Sequence, residues 1–299
     1  MISIIIPTFN FNCAPLVCEL QKQCEEVQAM YKGFDYEIIV GDDNSTDNGI
    51  VEKNAVIEAL PHCHYNIYNM NVGRTDNRNR LIDECRLEWI LMIDADAEVI
   101  TSDFILNYWN FAQVSSDADI IIGGLQTPDN APRGCELRLR YEKNAEKLRT
   151  LDRRRAHPAD HFSTFNVMVN RRVLEVLHFD PRCSDYGYED ALFGIEAERL
   201  GFNFLHIDNP LLHTGINSSE QFLKNSETAL RTLHSLGSPM TERAHVAVIA
   251  KKIRSIGAAK VVRWLYRITA PCLRMNLLSG RPSLHIFAFY KLGYYLNLD

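Results

Sequence analysis

Two carboxylates separated by one alanine, Asp94-Ala95-Asp96, follow the apolar run Trp89-Ile90-Leu91-Met92-Ile93. Side chains alternate along an extended chain, so both carboxylates are expected on the same side of a strand end. Such a pair of hard oxygen ligands suits one Mg²⁺ or Mn²⁺, an ion that keeps several waters and joins one or two carboxylates to substrate phosphates. Bound there, the metal would offset charge on a departing diphosphate. By itself the doublet is equally at home in a solvated loop, so its neighbours decide.

A second acidic pair, Glu189-Asp190, opens a helix expected over Glu189 to Leu200. A carboxylate within hydrogen-bond reach of an incoming hydroxyl can act as its general base, best where it is partly desolvated. The same pair would also favour the helix N-terminus through the macrodipole.

The elements that must position these groups are legible as alternation. From residue 2 to about 124, short β-rich runs alternate with longer helix-patterned stretches, which predicts an α/β fold with a mostly parallel central sheet and crossover helices. The runs are Ser3 to Ile6, Tyr36 to Val40, His64 to Tyr68, Trp89 to Ile93 and Asp119 to Ile122. Ligands gather at the carboxyl ends of such strands. There stand Pro7-Thr8-Phe9-Asn10, Gly41-Asp42-Asp43-Asn44-Ser45, Asn71-Val72-Gly73-Arg74 and the Asp94–Asp96 pair. Plain structural readings exist for some of them: Asp42 and Asp43 could cap a helix with Ser45 or Asp47, and Pro7 could end a strand.

Beyond residue 125 an Arg-rich helical stretch, Arg133 to Arg155, precedes a strand at Phe165 to Val169 and a helix near Arg171 to Leu177. The last sixty residues predict amphipathic helices in which Lys251, Lys252, Arg254, Lys260, Arg263 and Arg267 alternate with apolar and aromatic residues. Two readings stay open for them: a basic membrane-surface helix, or helices packing on the catalytic domain. The expected organisation is a catalytic domain over 1–238, with a donor half (1–100) and an acceptor half (101–238), and a basic tail over 239–299.

Taken together, Ser3-Ile4-Ile5-Ile6-Pro7-Thr8-Phe9-Asn10, Glu37 to Asp47, Asn71-Val72-Gly73-Arg74 with Asn77-Arg78-Asn79, and Asp94-Ala95-Asp96 resemble glycosyltransferase family 2 in order and spacing. The resemblance covers about residues 1 to 215. It implies a GT-A fold and an inverting transfer of a hexosyl or N-acetylhexosaminyl group. The donor would be a nucleoside diphosphate sugar, with UDP expected, and the acceptor a hydroxyl of a glycan or lipid-linked molecule. It also implies a donor site at Pro7, Thr8, Asn10, Asp42, Asp43 and Gly73, with Asp43 a partner for a uracil N–H. Arg78 would contact the diphosphate or the carboxylates. Asp96 is the expected direct metal ligand, with Asp94 facing the ribose or a metal-bound water and His213 near the metal. Asp185-Tyr186-Gly187-Tyr188-Glu189-Asp190 resembles the family's acceptor-site motif, which makes Asp190 the base and leaves Glu189 to orient the acceptor.

Composition narrows the alternatives. The 299 residues are 46% hydrophobic, and the net charge of −6 divides into +8 over residues 240–299 and −14 elsewhere. Nucleic acid is not among the expected partners. Eight scattered cysteines with no CxxC are expected as small buried hydrophobes in a reducing, cytoplasmic setting, with the tail allowing peripheral contact with the membrane. No stretch reaches the ~20 apolar residues of a membrane span. A phosphatase using an Asp doublet after its first strand is disfavoured by Glu98 and by the doublet's place after the fourth run. The GxGTR loop of nucleotidyltransferases and a GxGxxG are both missing. A non-catalytic binding protein is argued against by intact Asp94, Asp96, Glu189 and Asp190. His62-Cys63-His64 is expected to be structural, because alternation separates Cys63 from the histidines.

Overall fold

A computed structural model of the chain describes every residue except Ser116, Ser184, Asp185 and Asp299. The chain divides into two compact units: Met1–Gln126, Arg149–Ser184 and Asp190–Gly215 form the first, and Thr127–Leu148, Asp185–Glu189 and Ile216–Asp299 the second.

The first unit contains strands β1 (Ile2–Thr8), β2 (Tyr36–Asp42), β3 (Cys63–Ile67), β4 (Trp89–Ile93), β5 (Ala97–Glu98), β6 (Ile120–Ile122), β7 (Leu125–Gln126), β8 (Asn166–Asn170), β9 (Phe204–His206) and β10 (Leu211–His213). Seven of them form the central sheet in the order β3-β2-β1-β4-β8-β6-β9, while β5-β10-β7 make a small second sheet. The expected mostly parallel sheet is present. Its exception is β8, which runs antiparallel to both β4 and β6.

Helices of this unit are α1 (Ala14–Met30), α2 (Asn48–Asn54), α3 (Arg74–Glu84) and α4 (Phe104–Val114). Alternation along β1 divides the core between the two faces of the sheet. Ile4 and Ile6 pack with Leu16, Val17 and Leu20 of α1 and with Phe104 and Tyr108 of α4. Ile5 faces the other way, in one cluster with Leu81 and Ile82 of α3. Because both faces are covered, the interior strands are near-continuous apolar runs. Cys63 is buried on β3 while His62 and His64 are exposed.

The Arg-rich stretch is two helices, α5 (Glu136–Leu148) in the second unit and α6 (Leu151–Ala156) in the first. The first unit is completed by α7 (Arg171–Leu174) and by α8 (Glu189–Arg199), whose first residue is grouped with the second unit. The second unit adds α9 (Ser219–Leu236), α10 (Met240–Arg243), α11 (His245–Ser255), α12 (Ala259–Leu277) and α13 (Leu284–Leu296). The rings of Phe222 on α9 and Phe287 on α13 lie 5.5 Å apart, and Tyr141 on α5 meets Phe287 edge-on at 5.7 Å. The tail therefore shares a core with α5 and α9 instead of standing alone. Among the described residues no helix is long and apolar enough to cross a membrane. Among the described residues no cysteine is joined in a disulfide, and six of the eight are buried.

Candidate active site

At the carboxyl ends of β1, β2 and β4 lies a pocket of ≈ 420 Å³, within the range that small ligands occupy. Pro7, Thr8, Phe9 and Phe11 line it from the end of β1 and the segment after it, and Asp43 from the end of β2. Asn71, Gly73, Arg74 and Asn77 line it from the entry to α3, and Asp94, Ala95 and Asp96 from the end of β4. Pro7 is tolerated inside β1 because β4 pairs only with Ile2–Ile5, so its missing N–H interrupts no ladder on that side.

The Asp43 carboxylate accepts hydrogen bonds from the backbone N–H of Val72 at 2.9 Å and of Gly73 at 2.8 Å. It thereby ties the end of β2 to the start of α3, where Gly73 takes φ 89°, a conformation open to glycine and costly for other residues. Asp42 faces elsewhere. One of its oxygens accepts from Ser45 N at 2.7 Å and the other from the Tyr65 hydroxyl, and it does not line the pocket. Asn10 also lies outside the lining. Its side-chain oxygen accepts from the backbone N–H of Thr46 at 2.9 Å and of Asp47 at 3.0 Å, joining the loops after β1 and β2. The Asp47 carboxylate caps α2.

The geometry of the carboxylate pair differs from the extended one expected. β4 stops at Ile93, and Asp94 to Ala97 form a turn closed by Ala97 N donating to Asp94 O at 3.1 Å. Both carboxylates still reach the same pocket, through the turn. Their surroundings differ. Asp94 is held by two guanidiniums, Arg74 on one oxygen and Arg78 on the other at 3.2 Å. Burial pushes its carboxyl pKa up, but Arg74 and Arg78 outweigh that and hold it below the usual carboxylate range. Arg78 is fully buried, stacks over the Phe179 ring at 5.1 Å, and does not line the pocket.

Asp96 is partly exposed, and its Oδ2 lies 3.2 Å from Nε2 of His213. Pairing of β10 with β5 sets His213 opposite Ala97, and Phe165 packs edge-on against the imidazole at 5.3 Å. Thr214 secures the turn by donating both its N–H and its hydroxyl to Asp96 O. Gly215 is required by close approach, since a Cβ there would lie 2.0 Å from Asp96 Oδ2.

Asp190 accepts at both oxygens from one residue, from Thr164 N at 3.1 Å and from the Thr164 hydroxyl at 2.8 Å. In the acceptor-like motif Asp185 lies outside the described residues. Glu189 is buried in the second unit, directly after Gly187 at φ 91° and Tyr188 at φ 71°. A tyrosine in the left-handed region is strained, and such strain gathers at functional sites. Gly187 approaches Ala229 so closely that an added Cβ would meet it at 2.6 Å.

Sequence reasoning missed Thr164, Gly215 and the pocket role of Phe9, Phe11 and Asn77. For Phe9 and Phe11 there was a signal, two aromatics flanking a strand-end asparagine, and both are exposed. Arg74, the last residue of the Asn71–Arg74 run, lines the pocket and binds Asp94.

The sequence profile of glycosyl transferase family 2 matches residues 3–177. No curated protein matches the chain significantly. Among solved structures, the mannosyltransferase PcManGT from Pyrobaculum calidifontis, in complex with GDP-Man and Mn²⁺, has a TM-score of 0.56 at 14% identity, covering 99% of this chain and 84% of that one. Glucosyl-3-phosphoglycerate synthase from Mycobacterium tuberculosis, in complex with Mn²⁺, UDP and glucosyl-3-phosphoglycerate, has a TM-score of 0.53 at 17% identity over 79% of each chain. TarS 1–349 from S. aureus, in complex with UDP-GlcNAc, has a TM-score of 0.50 at 16% identity, covering 98% and 89%. At these identities the likeness is one of fold, the GT-A arrangement. The profile spans more than half of the chain, and this protein belongs to glycosyl transferase family 2.

Proposed function

We propose that the protein transfers a hexosyl or N-acetylhexosaminyl group from a nucleoside diphosphate donor, a UDP-sugar by expectation, to a hydroxyl of a glycan or lipid-linked acceptor, with inversion. The observation that carries this reading is the ≈ 420 Å³ pocket, which gathers Pro7, Thr8, Asp43, Asp94 and Asp96 from the ends of β1, β2 and β4 and Arg74 from the start of α3. Family membership and structures of similar fold in complex with GDP-Man, UDP or UDP-GlcNAc support it.

Phe9 and Phe11 offer exposed aromatic faces on which a base can stack, beside Pro7, Thr8 and the Asp43 carboxylate. Arg74 is the pocket cation closest in chemistry to a diphosphate, and Asp94 fixes its position. Buried Arg78 braces the same carboxylate.

A divalent cation, Mn²⁺ or Mg²⁺, fits the residues present. Asp96 and His213 would hold it, an oxygen and an imidazole nitrogen already facing each other at 3.2 Å. Among the described residues no group of three His, Cys, Asp or Glu is poised to hold a metal. That suits an ion which leaves most of its positions to water and phosphate oxygens. When bound, the ion supplies positive charge to the departing diphosphate.

Asp190 is assigned as the base. Thr164 orients its carboxylate, which takes the proton of the acceptor hydroxyl as that oxygen bonds to C1 and the C1–O bond to the diphosphate breaks. One in-line displacement inverts C1. Glu189 is assigned to orienting the acceptor. Calorimetric donor titration tests the division of labour: Asp190→Ala should keep donor affinity and lose transfer, and a loss of donor affinity would refute the assignment.

A further inference from the structure

α12 carries two apolar stripes, and its own unit uses one. Tyr266, Leu273 and Leu277 turn inward to the cluster containing Leu137, Phe222, Phe287 and Tyr290. On the other side Val261, Trp264, Leu265, Ile268, Cys272 and Met275 recur at spacings of three and four. Among the described residues nothing covers them: Val261 is 57% exposed, Trp264 60%, Ile268 55% and Met275 72%. A helix that only packs on its neighbours does not need the second stripe, and scattered single exposures would not align along about 20 Å of helix.

Charge identifies what covers this face. With about 100° between successive residues, Lys260 and Arg267 project beside the apolar stripe, between it and the inward face. Both are exposed, as are Lys251 and Lys252 on α11. Residues 240–299 carry +8, so two copies apposed through this face would bring like charges together, whereas an anionic surface takes them favourably. No described helix can cross a bilayer, so contact is lateral. We propose that the outward face of α12 docks the protein on an anionic lipid surface, with Trp264, Ile268 and Met275 at headgroup depth and Lys260 and Arg267 at the lipid phosphates. This surface lies wholly in the second unit and does not depend on the proposed transfer.

The test is co-sedimentation of the full chain with vesicles of phosphatidylglycerol and phosphatidylcholine, or of phosphatidylcholine alone. Binding is expected with phosphatidylglycerol and at least about tenfold weaker without it. Ile268→Glu and Met275→Glu should each weaken it about tenfold or more, and Lys260→Glu with Arg267→Glu should do so with the apolar face intact. All four positions are exposed, and an unchanged circular dichroism melt confirms the fold. Of the three tryptophans, Trp89 and Trp109 are buried, so a vesicle-induced blue shift reports Trp264 and should vanish in Trp264→Phe. Equal binding to both vesicle types, no binding, or unchanged binding by the glutamate variants overturns the proposal. So does a dimer in light scattering that Ile268→Glu converts to a monomer.

Discussion

Nε2 of His213 lies 3.2 Å from Oδ2 of Asp96, and Gly215, two residues beyond the histidine, presses its backbone against the same carboxylate. A side chain at position 215 must displace Asp96, because the added Cβ would sit 2.0 Å from the oxygen. Overpacking of this kind costs about 1–3 kcal/mol where the neighbour cannot move. Asp96 is partly exposed and can move, so Gly215→Ala should be mild in stability and severe in function. The Mn²⁺ concentration for half-maximal activity should rise about 10–100-fold, with little change in Tm. An unaltered metal requirement would show that Asp96 need not point where it does.

Asp94 makes acid stability informative. Arg74 and Arg78 depress its carboxyl pKa in the folded state against the opposing effect of burial. Its contribution is therefore present above the unfolded value of about 3.9 and is lost as pH falls through the lower folded value. Urea unfolding at neutral pH should show Asp94→Asn destabilised, and the gap from the unsubstituted protein should close in acid. Arg78→Ala should cost more, about 3–5 kcal/mol, because it removes a fully buried partner of that charge.

His206 acts in a higher pH window. Its ring is buried, with Nδ1 3.3 Å from Arg154 Nη1 and Nε2 3.0 Å from Pro158 O. A guanidinium can only donate, so Nδ1 accepts and Nε2 carries the proton to the carbonyl. Burial lowers its pKa to about 4. Between about 6.5 and 4 the unfolded chain takes up a proton that the native one refuses, so stability falls as pH falls, by roughly 3 kcal/mol at most. His206→Gln should flatten that part of the stability curve. An unchanged slope would mean that the imidazole is protonated in place.

Thr164 orients Asp190 through both an N–H and a hydroxyl. Thr164→Val removes the hydroxyl and keeps the N–H. A drop in kcat with the donor KM unchanged is expected, smaller than the roughly 10²–10⁴-fold loss for Asp190→Ala. A rise in donor KM with kcat intact would place Thr164 and Asp190 on the donor side.

The sheet was legible because its interior strands are continuous apolar runs, and β4 ends at Ile93 as its composition predicts. Four strand ends told where to look, since a parallel sheet directs its loops to one edge. What was not legible was which way each group faces. Asp42 and Asp43 are adjacent, yet only Asp43 lines the pocket, and the choice is made by Tyr65 on β3 taking up Asp42. Asp94 and Asp96 share a face through a turn and not through strand alternation. Thr164, 26 residues from Asp190, and Gly215, far along the chain from Asp96, act across sequence separations that a local pattern does not carry.

The most direct test is release of nucleoside diphosphate from a panel of sugar nucleotides by the purified full chain, with and without Mn²⁺ or Mg²⁺. At least one donor should be cleaved slowly in the absence of acceptor, chelation should stop the reaction, and Asp96→Ala should abolish it while the protein stays folded. No metal-dependent binding or cleavage of any donor, or cleavage unchanged in Asp96→Ala, would contradict the proposed metal-assisted sugar transfer.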